Sequence, residues 1–199
     1  YYRPLVTLSF MLDYQLYGLS AWGFHLTNLL LHLTTTALVF VLLASAARAA
    51  SARDPPPWIV AAGALLFAIH PSRAEAVAWI SGRSDLLMAL LALLALGCFW
   101  RALAGAGRRW PWVVAGWLAY AGALLCKEAA VGLAVAVPAL DLVAPSPRAA
   151  RRWLWCHGPL VLATAVYVAA RLLTQAGDGA GDLGLWSRLS LVAMTLGHA

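Results

Sequence analysis

Long runs of apolar residues dominate this chain, and its charged residues are confined to the short segments between those runs. Hydrophobic residues make up 63% of the sequence and charged residues 11%, whereas a soluble domain carries about a quarter charged residues. A helix of about 20 apolar residues crosses the roughly 30 Å hydrocarbon core of a membrane. The pattern therefore predicts an all-α, polytopic transmembrane helix bundle, with no nucleic acid among its partners.

About seven membrane spans are predicted, and the segment Tyr1–Ser20 before them is too polar to be one. The run from Trp112 to Leu142 is too long for one ordinary span, and it contains Lys127 and Glu128, a charge pair that is costly at mid-bilayer. We therefore expect a helical hairpin turning at this pair. The spans are Trp22–Leu43, Trp58–Ile69, Leu86–Trp100, the two arms of Trp112–Leu142, Trp153–Leu173, and a run opening at Ser187.

The basic residues are distributed unequally between the two sides of this predicted bundle. The loops Ala44–Pro57, Arg101–Pro111 and Ala144–Arg152 share one side, which with Asp141 holds eight basic and two acidic residues. The other side holds six of each, and the positive-inside rule makes it extracytoplasmic. Topology explains the basic excess, whereas the mixed charges opposite it are typical of a site for a polar substrate.

The segment His70–Asp85 joins two apolar runs and concentrates charge between them. Ser72 and Glu75 have the spacing of a capping box, which predicts a short extracytoplasmic helix from Arg73 to Ile80 after the second span. If that helix continues, Glu75 lies on one face with the residues four and eight positions later, Trp79 and Arg83. Helix capping alone explains Glu75 equally well. Capping also explains Asp85, which lies at the start of the next span and favours the positive end of that helix.

Two basic residues on the extracytoplasmic side are candidates for phosphate binding. Arg83 has no evident structural role in the sequence, and its planar donor fork suits phosphate. Lys127 would act as a point charge, because ionisable residues at membrane depth are candidates for function. The alternative for Lys127 is an ion pair with Glu128 or with neighbouring loops.

Histidine and cysteine give little indication of a metal site. His25, Asn28 and His32 fall on one face of the first span, where we expect hydrogen bonds between helices rather than metal ligation. Cys98, Cys126 and Cys156 have no metal-binding spacing, and all three are expected to be reduced.

Four ordered motifs give the chain a resemblance to a known family. They are YRPL at Tyr2–Leu5, GFHLTNLLLH at Gly23–His32, HP…EAVAWISGRSDLL at His70–Leu87, and KE at Lys127–Glu128. In this order the motifs resemble the multispan part of the TPR-bearing transmembrane O-mannosyltransferases, the TMTC proteins, and their bacterial relatives. The resemblance extends from Tyr1 to about Asp141. The residues after Asp141 resemble the family only in their hydropathy pattern.

The resemblance implies a membrane glycosyltransferase of the GT-C fold, in the bacterial inner membrane or the ER membrane. Such enzymes transfer a sugar from a polyprenyl-phosphate donor, typically dolichyl-phosphate mannose in eukaryotes, to a protein hydroxyl on the extracytoplasmic face. No cofactor besides this donor is implied. Residues 1–199 would form one membrane-embedded transferase domain, truncated at both ends, with a TPR domain following it.

Residue roles are implied in the same way. The family's catalytic base lies before the YRPL motif, so we expect it upstream of Tyr1, and Asp13 is not assigned to this role. Two positions depart from the family pattern: Arg73 replaces a histidine after HP, and Cys126 replaces a serine before KE. The donor phosphate is expected to bind Arg3, Arg83 and Lys127, with Glu75, Asp85, Glu128, His70 and Trp79 in positioning roles and no metal ligand.

Two other classes of function fit the same features. A lipid-phosphate transporter would use intramembrane charges and broken helices equally well, although no inverted repeat is visible in the sequence. A non-catalytic membrane scaffold for a TPR domain is the second alternative.

Overall fold

The computed structural model describes residues 3–50, 54–104, 109–143, 155 and 157–177, and these residues form helices without a strand. The helices are α1 (Pro4–Tyr17), α2 (Ala21–Ala50), α3 (Pro57–Ile69), α4 (Pro71–Ala78), α5 (Arg83–Ala104), α6 (Trp110–Cys126), α7 (Leu133–Val143) and α8 (Gly158–Gly177). Short 3-10 helices at Ile80–Gly82 and Glu128–Gly132 precede α5 and α7. The prediction of an all-α fold is confirmed for these residues.

Two of the described helices are long and apolar enough to cross a membrane, by length and composition. They are Ala21–Ala50 and Ile80–Leu103, which correspond to the first and third predicted spans. The apolar helices at the other predicted spans are shorter; α3 has 13 residues and reaches only about 20 Å at 1.5 Å per residue. The prediction of about seven spans is therefore not supported, and the run opening at Ser187 lies outside the described residues.

The core lies between α5, α6, the 3-10 helix after α6, α7 and α8. Phe99 on α5 and Tyr120 on α6 are buried there, and the Tyr120 hydroxyl hydrogen-bonds to Thr164 on α8. Gly116 allows α6 to approach closely, because a Cβ at this position would lie 2.9 Å from the Phe99 ring. Since the first turn of α5 meets the end of α6, the two helices run antiparallel.

The connection from α4 to α5 differs from the predicted helix Arg73–Ile80. His70, not Ser72, caps α4: its side chain accepts a hydrogen bond from the Ser72 backbone N–H, and Pro71 occupies the first helical position. The helix ends at Ala78 and Trp79 is extended. The predicted shared face of Glu75, Trp79 and Arg83 is therefore wrong, because the helix ends before Trp79.

The chain does leave the helix at Lys127 and Glu128, where the sequence predicted the turn of a helical hairpin. Helix α6 ends at Cys126, Lys127 has an extended backbone with φ −157° and ψ 142°, and a 3-10 helix begins at Glu128. Because Lys127 is extended, the apolar run Trp112–Leu142 does not continue as one straight helix. The Lys127 side chain points to Asp85 at the start of α5, and the Glu128 side chain points to Arg171 on α8.

Gly82 fixes the close approach of the α4–α5 connection, so Gly82→Ala is expected to destabilise the protein by about 1–3 kcal/mol. An added Cβ would lie 2.4 Å from the backbone oxygen of Ala76, which cannot move without shifting α4. The matched control is Gly132→Ala, where nothing lies within 4 Å of the added Cβ. Midpoints of thermal unfolding measured in detergent should fall for the first variant only; equal midpoints would contradict the tight connection.

Candidate functional site

Seven polar side chains from four separate parts of the chain meet at one end of the bundle. We call this group the charge cluster; its members are Arg3, Ser84, Asp85, Lys127, Glu128, Tyr167 and Arg171. The start of α1, the first turn of α5, the break after α6 and the central turns of α8 each contribute to it. The cluster thus unites segments that the charge distribution placed on one side of the membrane.

Lys127 and Asp85 form the more accessible half of the cluster. The Nζ atom of Lys127 lies 2.7 Å from Oδ1 of Asp85. The Lys127 side chain is 17% exposed and that of Asp85 is 37% exposed. Because surrounding water weakens such a pair, an incoming anion can displace Asp85 from Lys127 at modest cost.

Glu128 is the centre of the more enclosed half. Its Oε2 accepts from Nη1 of Arg171 at 3.0 Å and from Nη2 of Arg3 at 3.5 Å. The same Arg171 nitrogen lies 2.9 Å from the Tyr167 hydroxyl, and Nη1 of Arg3 lies 3.3 Å from the Ser84 hydroxyl. With Lys127 and Asp85 included, three cations face two carboxylates, so the cluster is suited to an anionic ligand.

The Glu128 carboxyl is held in its charged form. Burial raises the pKa of this carboxyl. Its backbone hydrogen bond and the guanidinium groups of Arg171 and Arg3 together lower the pKa by more than burial raises it, so the net pKa lies below the ordinary value. Glu128 therefore serves as a permanent anion that aligns the two arginines and is a weak base.

The lowered pKa of Glu128 predicts a stability loss confined to acid. Its contribution is fully present above the unfolded-state value of 4.5 and is lost as the pH falls through the lower folded-state pKa. The midpoint of thermal unfolding should be insensitive to this group from about pH 7 to pH 5. The Glu128→Gln variant should lack this acid-dependent part of the stability loss. Plots of unfolding midpoint against pH that stay parallel for wild type and variant below pH 4.5 would contradict the lowered pKa of Glu128.

Arg83 is near the cluster in sequence but points away from it. Its side chain is fully buried and forms an ion pair with Asp13. Its Nε donates to Oδ1 of Asn28 at 2.9 Å, and its Nη2 donates to the Phe24 carbonyl at 2.9 Å. The inference that Arg83 lacks a structural role is wrong, because these bonds join α1, α2 and α5; its predicted contact with phosphate remains a prediction.

The other members of this buried network support the same junction. Thr27 donates to Oδ1 of Asp13 at 2.8 Å, and Asn28 donates to the Trp79 carbonyl at 3.0 Å. We call Asp13, Thr27, Asn28 and Arg83 the buried latch. It fixes the residues immediately before Ser84 and Asp85, and so it orients the accessible half of the charge cluster.

The polar face of α2 forms hydrogen bonds between segments, as predicted. In addition to Asn28, Nε2 of His32 lies 3.0 Å from the Ala68 carbonyl on α3, whereas His25 is exposed. Among the described residues, no three His, Cys, Asp or Glu side chains are grouped so as to hold a metal ion. Cys98 and Cys126 are free thiols, and Cys156 lies outside the described residues.

Three predicted positioning residues lie outside the charge cluster. His70 caps α4 and its Nδ1 lies 2.8 Å from the Ser72 hydroxyl, while Glu75 is exposed on the same helix. Trp79 is 61% exposed. Their proposed roles toward a substrate remain predictions, and only Asp85 and Glu128 of the five positioning residues join the cluster.

Arg171, Tyr167 and Ser84 were not singled out by the sequence. A basic residue close to the end of the apolar run Trp153–Leu173 is the available signal for Arg171. Tyr167 precedes it by one helical turn and therefore shares its face. Ser84 directly precedes Asp85 on α5, and its hydroxyl lies beside Arg3.

The chain is similar to curated proteins that are named protein O-mannosyl-transferases. The chain is 35% identical to the Protein O-mannosyl-transferase Tmtc1 of Drosophila melanogaster over 147 residues, which is 74% of this chain and 16% of that protein. It is 38% identical to the Protein O-mannosyl-transferase TMTC2 of Homo sapiens over 133 residues, 65% of this chain and 15% of that protein. The matched segment is thus less than a fifth of the length of these relatives.

A third relative supports the same grouping. The Protein O-mannosyl-transferase TMTC1 of Mus musculus is 40% identical over 103 residues, which is 51% of this chain and 10% of that protein. No family model matches the chain. No solved structure matches it either.

Proposed function

This chain belongs to the TMTC-like family, and we propose that it forms the donor-headgroup part of a membrane glycosyltransferase. The enzyme would transfer mannose or another hexose from a polyprenyl-phosphate donor to a protein hydroxyl. The observation that carries this proposal is the charge cluster, in which three cations and two carboxylates lie together at the end of apolar helices. The names of the relatives supply the reaction class.

The proposed chemical role of the cations is to stabilise the departing phosphate. When the sugar–oxygen bond breaks, negative charge grows on the polyprenyl phosphate, and preorganised donors directed at that charge lower the barrier. Arg171 and Arg3 are already aligned by Glu128, and Lys127 can exchange Asp85 for the phosphate. Two guanidinium forks and one ammonium group suit a tetrahedral anion.

The carboxylates of Glu128 and Asp13 are proposed to orient groups, not to act as the base. Glu128 is ionised and bound to two arginines, and Asp13 is buried against Arg83. A general base needs a free lone pair close to the acceptor hydroxyl. We therefore place the base in the part of the family's transferase domain that precedes residue 1, as the YRPL motif implies.

The chain is proposed to be a multi-pass membrane segment with the charge cluster on the extracytoplasmic face. The loops with eight basic residues would lie on the cytoplasmic side, following the positive-inside rule. The GT-C fold and a TPR domain following in the same protein are part of this proposal. The donor is lipid-linked and the acceptor is a protein.

Sugar transfer by the full-length protein in lipid vesicles tests the proposal. A radiolabelled mannosyl-phospho-polyprenol and a protein acceptor are supplied, and label entering the acceptor is measured. Arg3→Ala should transfer at least about tenfold more slowly, since it removes one donor from the developing charge. Arg73→Ala is the control from outside the cluster.

The alternatives give different results in the same vesicles. A transporter would move the lipid phosphate between leaflets without labelling the acceptor. A scaffold would do neither, and either result with a folded wild-type protein would contradict the proposed transferase. Equal acceptor labelling by wild type and Arg3→Ala would support the transferase reaction but contradict a role for the charge cluster in it.

A further inference from the structure

A shallow groove runs between α1 and the first turns of α2, beside the charge cluster. Its volume is about 380 Å³, and its lining consists of Thr7, Phe10, Met11, Tyr14, Gln15 and Phe24. Ligand pockets span about 300–1,000 Å³. The groove is therefore large enough for part of a ligand, and its lining is mainly apolar.

The floor of the groove is held in place by the buried latch. The Phe10 and Phe24 rings lie 6.2 Å apart between centroids. The guanidinium carbon of Arg83 lies 4.5 Å from the Phe10 centroid and 5.7 Å from the Phe24 centroid. Since Arg83 is fixed by Asp13 and Asn28, the two rings form a preorganised surface.

The surroundings of the groove favour a hydrocarbon occupant. Leu8, Leu12 and Leu16 on α1 are 51%, 53% and 72% exposed. With 14 residues, α1 is too short to span a membrane, and so many exposed leucines suit contact with lipid rather than water. A chain entering the groove would come from the lipid phase.

One end of the groove, at Thr7, lies one helical turn along α1 from Arg3, a member of the charge cluster. The Thr7 hydroxyl, which lines the groove, donates to the Arg3 carbonyl at 3.2 Å. The Arg3 side chain reaches Ser84 and Glu128. A cationic site and an apolar groove one helical turn apart match a ligand with an anionic head and an apolar tail.

We propose that this groove binds the first isoprene units of the donor's polyprenyl chain, while the donor phosphate lies against Arg3 and the charge cluster. The inference rests on the proposed function, because it assigns the ligand by the phosphate chemistry of that site. A methyl-branched chain makes more packing contacts per unit length with an aromatic floor than a straight acyl chain does. This favours an isoprenoid over a phospholipid tail.

Donors of two chain lengths test the groove in the full-length protein. Wild type should have a lower KM for a long-chain mannosyl-phospho-polyprenol than for a ten-carbon analogue. Met11→Trp fills the groove and should raise the KM for the long donor at least about threefold, with little change for the short one. Leu16→Trp is the control, because Leu16 is exposed on α1 and does not line the groove.

A photoreactive polyprenyl phosphate separates failure of the inference from failure of the proposed function. Crosslinks to the lining of the groove, reduced in Met11→Trp and resistant to excess phosphatidylglycerol, are expected even if no sugar is transferred. Crosslinks confined to other helices, or equal displacement by phosphatidylglycerol, would overturn the inference. Absence of transfer from every donor, with the groove still labelled, would instead contradict the proposed transferase.

Discussion

Arg83→Met is expected to lower the free energy of unfolding by about 3–5 kcal/mol, the cost of leaving one partner of a buried ion pair uncompensated. Asp13 is 4% exposed and would lose its cationic partner, and Asn28 and the Phe24 carbonyl would lose hydrogen bonds. The measurement is unfolding of the full-length protein in detergent, followed by tryptophan fluorescence. The loss should be visible without any substrate.

Two further variants isolate the cause. Arg73→Met, in the same connecting segment, should change stability by less than about 1 kcal/mol, because Arg73 is only half-buried and forms no described ion pair. Asp13→Asn combined with Arg83→Met should cost less than the sum of the two single changes. An Arg83→Met protein as stable as wild type would contradict the structural role assigned to the buried latch.

Lys127→Ala and Arg171→Ala are expected to reduce the kcat of sugar transfer by about 10²–10³-fold each, the usual cost of removing one donor from a developing anion. The stability of Lys127→Ala should change by no more than about 1 kcal/mol, because its pair with Asp85 is partly exposed and screened. Arg171→Ala should cost more, because it leaves Glu128, whose side chain is only 8% exposed, with one cation fewer. Transfer is measured with saturating donor, and unfolding is measured on the same preparations.

The control for this pair is Arg101→Ala. Arg101 is exposed in the last turn of α5, with its guanidinium carbon 4.6 Å from the Trp112 ring, at the end of the helix opposite to the cluster. Its loss should leave kcat within about twofold of wild type, since it makes no contact with the cluster. Equal losses for all three variants would indicate a general effect of surface charge and would contradict a local phosphate site.

Some of the charge cluster follows from sequence because topology alone restricts it. Charges at the ends of apolar runs must lie at one membrane surface or the other, and counting basic residues sorts Arg3, Asp85, Lys127, Glu128 and Arg171 to one side. The structure brings these five together. The helix break at Lys127 was predictable for the same reason, because an ionised pair is costly within the hydrocarbon core.

The partners of Arg83 were not predictable from local sequence. Asn28 and Asp13 are 55 and 70 positions away, and only the packing of α1 and α2 against α5 brings them to Arg83. Helical spacing instead suggested a common face with Glu75, and the extended Trp79 interrupts that face. Hydropathy also gave no lengths for the packed helices, and the predicted number of spans is not supported among the described residues.

Equilibrium binding of polyprenyl phosphate and of the uncharged polyprenol to the full-length protein in nanodiscs tests the central claim most directly. The charge cluster predicts that wild type binds the phosphate at least about tenfold more tightly than the polyprenol, and that Lys127→Ala loses most of this preference while Arg101→Ala keeps it. Equal affinity of wild type for the two lipids, or an undiminished preference in Lys127→Ala, would contradict a phosphate site at the charge cluster.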